Sequence, residues 1–596
     1  MKSNTTPIWF VLAAVLAAFI WFAEKHLQPA APVNENLLPG LNADSVTALE
    51  IIPAGERKIS LVRTNQTWVL NEPFNFPAQK TAVDSLLGAL EKVLPVLRLT
   101  AADMQSHKNA DADFGFDNPR FTLDVTAGDQ NWHLLVGNRT APGDGIYVRL
   151  VGGAGAYVTD LKWLQFLPHN ANDWRDTRLV SADNPVDWIV ITNGAKVIEL
   201  RGNPTNHTWR ILRPEPVRRA DAGVVAKALQ QLRDAQVTRF VTDDPKADLT
   251  ASGLQPAEID LWLGHGTNFS DALHLGKETA ETPGQIFVRR EGWNSIVTAA
   301  KEDFLPWRGS ANDFREARLL DFSAPVTGIE VQDAVPWALQ LRGSNVWQVA
   351  GEKFPVDNDN VQNFIALLGN LRAAEYVKDV VSAADLQNFG LATNTRAFTV
   401  HFADGTTNAL IFGGVDTNKN EIFVKRADED YVYALSFADA SRLPAGGWQL
   451  RERRPWNFLA TNVASLIVKQ GDKTRQINRL GTKVWIPAHG SEGNVDRVGL
   501  EETAAIFGNL SATMWVERNF TAPEKYGLGG TNALSVTFNL KSGENYTVDF
   551  GTEFQSPAGP TALAAVTLDG ERWAFVFPPA LYPLLDAYLR IPATPP

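Results

Sequence analysis

The sequence predicts an α+β fold: four tandem modules of mainly antiparallel sheet with packed helices, preceded by one N-terminal transmembrane helix. Three observations carry this reading. A tryptophan closes an early strand at Trp68, Trp209, Trp347 and Trp485, with separations of 141, 138 and 138 residues. Glycines followed by Phe or Leu, at Gly115, Gly253, Gly390 and Gly527, keep the same period, and the strand-ending Gly137, Gly276, Gly413 and Gly551 follow them in step. Independent landmarks that hold one period along a chain mark internal repeats. Finally, residues 8–23 (IWFVLAAVLAAFIWFA) carry no charge.

The N-terminal segment comes first. Residues 5–23 make 19 uncharged positions, flanked by Lys2 on one side and by Glu24, Lys25 and His26 on the other. At 1.5 Å per residue such a helix about spans the hydrocarbon core. Trp9 and Trp21 lie near its two ends, as interfacial aromatics do. A cleaved signal peptide and a buried helix of the first domain are the competing readings; the small residues Ala30-Ala31 run into Pro32, which disfavours cleavage. The resulting layout is an anchor over residues 1–27, a Pro/Asn-rich tether over 28–43, and modules over 44–180, 181–320, 321–455 and 456–596. A lone N-terminal anchor places the soluble body on the periplasmic side of the cytoplasmic membrane.

Module three shows the plan of each copy. Val326-Thr-Gly-Ile-Glu-Val331 and Ala338-Leu-Gln-Leu341 alternate apolar and polar residues, as half-buried antiparallel strands do. A helix follows, because Val361, Phe364, Ile365, Leu368 and Leu371 recur at helical spacing behind Asp357. Asp357, Asp221 and Asp496 are predicted N-caps, each carboxylate accepting from free first-turn amides; module one has Ala78 and Gln79 there. After the Gly-Leu marker come paired strands, with turns such as Ala403-Asp404-Gly405 between them. A further strand recurs as Ile146-Tyr-Val-Arg149, Ile286-Phe-Val-Arg289 and Ile422-Phe-Val-Lys425.

Composition narrows the function. A formal charge of −12 speaks against nucleic acid, since a phosphate-backbone binder needs clustered Lys and Arg. With no cysteine the chain has no disulfide, thiolate metal site or cysteine nucleophile. Asp357-Asn-Asp-Asn360 lacks the glycine and distant glutamate of a calcium loop and reads as a helix cap. Neither a zinc-type histidine spacing nor a phosphate-cradling loop nor a Gly-x-Ser-x-Gly elbow is present. No catalytic, cofactor-binding or metal residue is nominated.

The remaining candidates are arginines. Arg175/Arg178, Arg315/Arg318 and Arg451/Arg454 close the first three modules, a spacing that would set two guanidinium groups on one side of a helical turn. They fit either an anion site or a tie between successive modules; module four ends at Ala587-Tyr-Leu-Arg-Ile591 without the pair, as a junction element should. The repeat tryptophans fit either a buried core or exposed platforms for sugar rings.

Together these features resemble the bacterial domain-of-unknown-function 4340 family. Trp68, Gly115, Gly137, Tyr147-Val148 and Trp174-Arg175-Asp176-Thr177-Arg178 carry the likeness in the first copy. The resemblance implies a membrane-anchored envelope protein, encoded beside an ABC-type exporter and its gliding-motility-type auxiliary protein, with no enzymatic activity. The expectation is therefore a non-enzymatic, single-pass accessory or docking component of a transport or surface-assembly complex, with protein partners and no cofactor. The alternative is an envelope glycan or polymer binder using exposed tryptophans.

Overall fold

The structure, a computed structural model, describes residues 6–26, 36–181, 184–322, 324–393, 396–491, 495–530 and 533–591. Residues 1–5, with Lys2 and Thr5, the last residue of the expected anchor and residues 28–35 of the expected tether lie outside these. The apolar N-terminal segment forms helix α1 (Thr6–His26). Among the described residues no helix is long and apolar enough to cross a membrane. The side chains described on α1, those of residue 9 and residues 11–21, are exposed.

The rest is mostly β, in four antiparallel sheets of nine, nine, eight and eight strands. The first contains β1 (Ala48–Pro53), β2 (Ile59–Thr64), β3 (Thr67–Glu72), β4 (Phe76–Pro77), β5 (Pro95–Leu99), β6 (Phe121–Ala127), β7 (Gln130–Arg139), β8 (Ile146–Leu150) and β9 (Ala156–Thr159). Its order is β4-β3-β2-β1-β6-β7-β8-β9-β5. Two meanders meet where β1 pairs with β6, Leu49 opposite Val125. Helix α2 (Lys80–Lys92) joins β4 to β5, carrying the chain from one edge of the sheet to the other. It buries Val83, Leu86, Leu87 and Leu90, a 3.6-residue stripe of the kind that the sequence showed in module 3, against the inner face of the sheet.

The same order recurs three times, with helices at Ala222–Asp234, Asn358–Gly369 and Arg497–Gly508. Each later helix starts at its predicted cap: the Asp221 carboxylate accepts from the amides of Gly223 and Val224, that of Asp357 from Asn360, and that of Asp496 from Val498 and Gly499. Gln79 makes no side-chain cap. The strand that follows each helix, β5 in module 1, has too little alternation to be seen in the sequence.

The two glycine series are one device. Gly115 ends a short helix in the left-handed region at φ 77°, and a Cβ on Gly137 would lie 2.0 Å from the carbonyl oxygen of Phe114. In module 4 a Cβ on Gly551 would lie 1.9 Å from that of Tyr526, beside Gly527 at φ 68°. The loop thus sits directly on the strand, and any side chain would push it off.

Packing divides the chain into two units, Met1–Glu316 with modules 1 and 2 and Ala317–Pro596 with modules 3 and 4. Modules 1 and 2 have separate cores, with Phe240 packing on both. Modules 3 and 4 share one continuous apolar cluster, from Leu319 to Leu589. The expected tether is shorter than predicted. Leu37, Leu38 and Leu41 are buried in the first core, and the Leu37 amide donates to Val93. Three leucines within five residues belong inside a module, and the prolines upstream had masked that signal.

Candidate functional site

The three paired arginines do not lie on a helical turn. Arg175, Arg315 and Arg451 each cap a short 3₁₀ turn and are extended, at φ/ψ of −72°/141°, −76°/139° and −55°/144°. The turn ends because its last residue, Trp174, Phe314 or Leu450, is buried, which anchors the chain and leaves the arginine to start a linker strand. That strand pairs twice. Arg175 bridges to Ala78 and Arg178 to Gln236; Arg315 bridges to Ala220, Arg318 to Arg372, and Arg451 to Val356. Around the first linker the Asp176 amide donates to Pro77, the Gln79 amide to Trp174 and the Val237 amide to Thr177. The first arginine of each linker therefore closes its own module, and in the first linker the second, Arg178, falls beside the edge strand of the next.

Between modules 1 and 2 the Arg175 side chain is fully buried. Its guanidinium donates to the Asp243 carboxylate through Nη1 at 3.0 Å and Nη2 at 2.7 Å, to Ser295 Oγ at 2.7 Å and to Asn172 Oδ1 at 3.2 Å. Ser295 Oγ in turn donates to Asp243 at 2.5 Å. Phe240, Phe76 and Phe74 surround the charge at 3.7, 4.0 and 4.1 Å from their ring centroids. Trp293 closes the group, 4.3 Å from Phe76. Burial lowers the affinity of this guanidinium for its proton, and hydrogen bonding and charge from Asp243 oppose that. A bidentate fork between aromatic faces suits arginine and no other cation.

Between modules 3 and 4 the counterpart is looser. Arg451 is mostly buried and lies 4.6 Å over Trp573, but makes a single ion pair, at 3.1 Å, to the exposed Asp569. Arg518 completes the cluster: it reaches Glu352 of module 3 at 2.5 Å and Glu571 at 2.7 Å, above the same Trp573 at 5.3 Å. These carboxylates hold the Arg518 proton well above the usual arginine range, led by the Glu571 hydrogen bond. Sequence reading missed Arg518, Asp243 and Ser295, which no motif marks; they become partners only when linker and edge strand meet.

Arg178 and Arg454 are half exposed, the first paired with Asp176 at 2.7 Å and the second with Glu452 at 3.7 Å. Module 4 corrects a further expectation. Arg590 caps its terminal turn with φ/ψ of −70°/142°, the conformation of Arg175, so the first arginine of the pair is retained. Its guanidinium turns back into module 4, to Asp586 at 2.5 Å and to Glu553. The position of the second arginine, residue 593, is Ala593 and lies outside the described residues.

The repeat tryptophans are mainly core: Trp68, Trp347 and Trp485 are 1 %, 5 % and 1 % exposed, and Trp209 is half-buried against the second core. Trp68 and Trp485 donate their indole N–H to Asp84 and Glu501 on the module helix. Modules 1 and 2 carry open clefts. One of about 630 Å³ in module 1 is lined by Met104, His107, Lys108 and Arg149; one of about 340 Å³ in module 2 is lined by Trp262, Phe269, Arg290 and Trp293. Among the described residues no group of three or more His, Asp or Glu side chains is placed to hold a metal.

Repeated sheet and helix define a class: a tandem array of one β-rich module, paired within each unit by a linker strand and a buried arginine. A family model described as domain of unknown function DUF4340 matches residues 68–248, 209–351 and 347–530. The chain belongs to that family, and each match begins at a repeat tryptophan. No curated protein matches the chain.

Proposed function

We propose that this chain is a non-enzymatic, membrane-anchored envelope protein that serves as an accessory or docking component of an ABC-type transport or gliding-motility-like surface-assembly complex. The junction chemistry carries the reading. Within each unit, linker pairing and buried arginine fix one module against the next, which yields a long, preformed surface of the kind that tandem arrays use for partners. Helix α1 supplies the anchor, with its soluble body on the periplasmic side: Trp9, Val11, Val15, Phe19 and Trp21 are all more than half exposed, and apolar side chains left in the open call for an apolar surrounding. Co-purification from membranes at native expression tests it. Recovery of a transporter or assembly component with the chain is the expected result; recovery of the chain alone from a detergent extract overturns the reading.

The glycan alternative draws on one observation, the half-exposed Trp262 and Trp293 beside Phe269 in the module 2 cleft. Quenching of tryptophan fluorescence by cell-wall polysaccharide, abolished by Trp262→Ala, would favour it over docking.

A further inference from the structure

The four modules repeat one scaffold, so side chains that only one of them carries stand out against the other three. On the outer face of the module 2 sheet Phe269 stacks on Trp188, their ring centroids 4.1 Å apart, and meets Trp262 at 5.5 Å. Register identifies the equivalent positions: Trp188 pairs with Gly264, which pairs with Phe269, and Trp262 pairs with Ala272. In the order Trp188, Trp262, Phe269 these positions hold Ala48, Asp124 and Asn131 in module 1. They hold Gly328, Thr399 and Thr407 in module 3 and Ser465, Thr537 and Asn545 in module 4. Three modules form the same sheet with no aromatic residue at any of them, so the fold does not require these rings. Phe269 is 41 % exposed and Trp262 partly so, and both open onto the cleft of about 340 Å³. Clustered aromatic rings left in contact with solvent mark a binding surface.

The polar groups beside the rings select the ligand. Trp188 serves as backing: Arg201 lies 4.4 Å over its ring and its indole N–H donates to Glu199, which leaves Phe269 and Trp262 as the open faces. Glu291 lines the same cleft and is exposed. His274 orients it, with Nε2 2.8 Å from the Glu291 carboxylate and Nδ1 2.6 Å from that of Asp260, and stands edge-on to Trp262 at 6.3 Å. This set is also confined to module 2: Asp260, His274 and Glu291 correspond to Thr122, Leu135 and Val151 in module 1 and to Ala397, Ile411 and Ala427 in module 3. An aromatic platform flanked by an oriented carboxylate matches a sugar, whose ring sets C–H groups against the indole while its hydroxyls donate to the carboxylate. Nucleic acid bases would stack equally well, but their phosphates would meet Glu199, Asp260 and Glu291 on a chain of charge −12. A protein interface excludes charge from its core, whereas here His274 and two carboxylates adjoin the central ring. The same carboxylates turn away acidic sugars.

We propose that the module 2 cleft binds a neutral or N-acetylated sugar chain, with one ring stacked on Trp262 and Phe269 and a hydroxyl donated to Glu291. This rests on the glycan alternative above, to which it gives a ligand class and a carboxylate, and it leaves docking elsewhere on the array intact. The test titrates the full chain in detergent with chitotetraose, cellotetraose and polygalacturonate, read by calorimetry. Saturable binding of at least one of the two neutral oligosaccharides, and none of polygalacturonate, is the expected result. Trp262→Ala should weaken it at least about tenfold, as truncating an aromatic anchor does, and Glu291→Ala about fivefold, through the lost charge-assisted hydrogen bond. Thr399→Ala, at the position of Trp262 in module 3, should leave it unchanged. Circular dichroism of each variant reports its folding; should Trp262→Ala fail to fold, the exposed Glu291 decides alone. A preference for polygalacturonate, or neutral binding indifferent to the variants, overturns this site and leaves glycan binding standing. Binding of none of the three probes overturns both, and co-purification then still tests docking.

Discussion

The junction between modules 1 and 2 and that between modules 3 and 4 share a linker but differ in what fills the space around it. In the first, two separate cores meet at one fully buried arginine with a bidentate carboxylate, a hydroxyl and three phenyl rings. In the second, a single apolar cluster runs through both modules, Trp448 and Phe354 packing edge-on against Trp573, and two arginines lie over its rim. The contrast teaches that backbone pairing sets where a module sits, whereas the adhesive is free to drift between a desolvated ion pair and a hydrophobic seam. A buried ion pair is intolerant of losing one partner, because the other is left charged and dry; a seam loses only the contacts removed.

That difference makes the largest predicted effect Arg175→Ala, which strands Asp243 beside Ser295 and should cost the first unit about 3–5 kcal/mol, read from guanidinium unfolding of the full chain. A loss below about 1 kcal/mol would erase the distinction between the junctions. Next come Gly137→Ala and Gly551→Ala, where the added Cβ meets a carbonyl oxygen at 2.0 or 1.9 Å and overpacking should cost about 1–3 kcal/mol in each case. Because this contact lies inside a module, the two values should agree; unequal values would mean that the modules differ in more than their junctions. Smaller still is the second junction: Arg518→Ala should cost about 2 kcal/mol and Arg451→Ala about 1 kcal/mol, the pair to exposed Asp569 being screened by solvent. Equal losses for Arg451→Ala and Arg175→Ala would break the comparison.

The smallest effect concerns the free end of module 4. Burial, then the Glu553 carboxylate, push the Tyr582 phenol up to about 12. Since the folded value lies above the ordinary one of about 10, the associated stability is present below pH 10 and lost as pH rises through 12. Difference absorbance at 295 nm between the chain and Tyr582→Phe should show a phenolate titrating near 12; titration near 10 would mean that the ring is not buried beside Glu553.

Much of the array was legible because repetition amplifies weak signals. Period alone located the modules, helical spacing located the stripe on the module 3 helix, and aspartate before that spacing located three caps. The tryptophans and glycines were recognised as landmarks, yet their physical roles were not: Gly137 answers to Phe114, a contact between a strand and a loop more than twenty residues earlier. Arg175 and Arg178 looked like neighbours on a turn because i, i+3 spacing is helical; the 3₁₀ turn stops at Trp174, and the pair ends up on an extended strand with one member buried and the other in solvent. Leu37 and Leu38 were assigned to a tether because Pro29 and Pro32 precede them. Arg590 went unrecognised as a junction arginine because its companion is missing.

The sequence by itself determined the count of modules, their mainly antiparallel character, their helix stripes and the family to which the chain belongs, since these follow from periodicity, local propensity and turn chemistry within a few residues. Only the tertiary structure decided which arginine is buried and which carboxylate receives it. Those outcomes depend on the pairing of strands distant in sequence, such as Arg178 with Gln236, and on the desolvation that follows when two modules close around a charge.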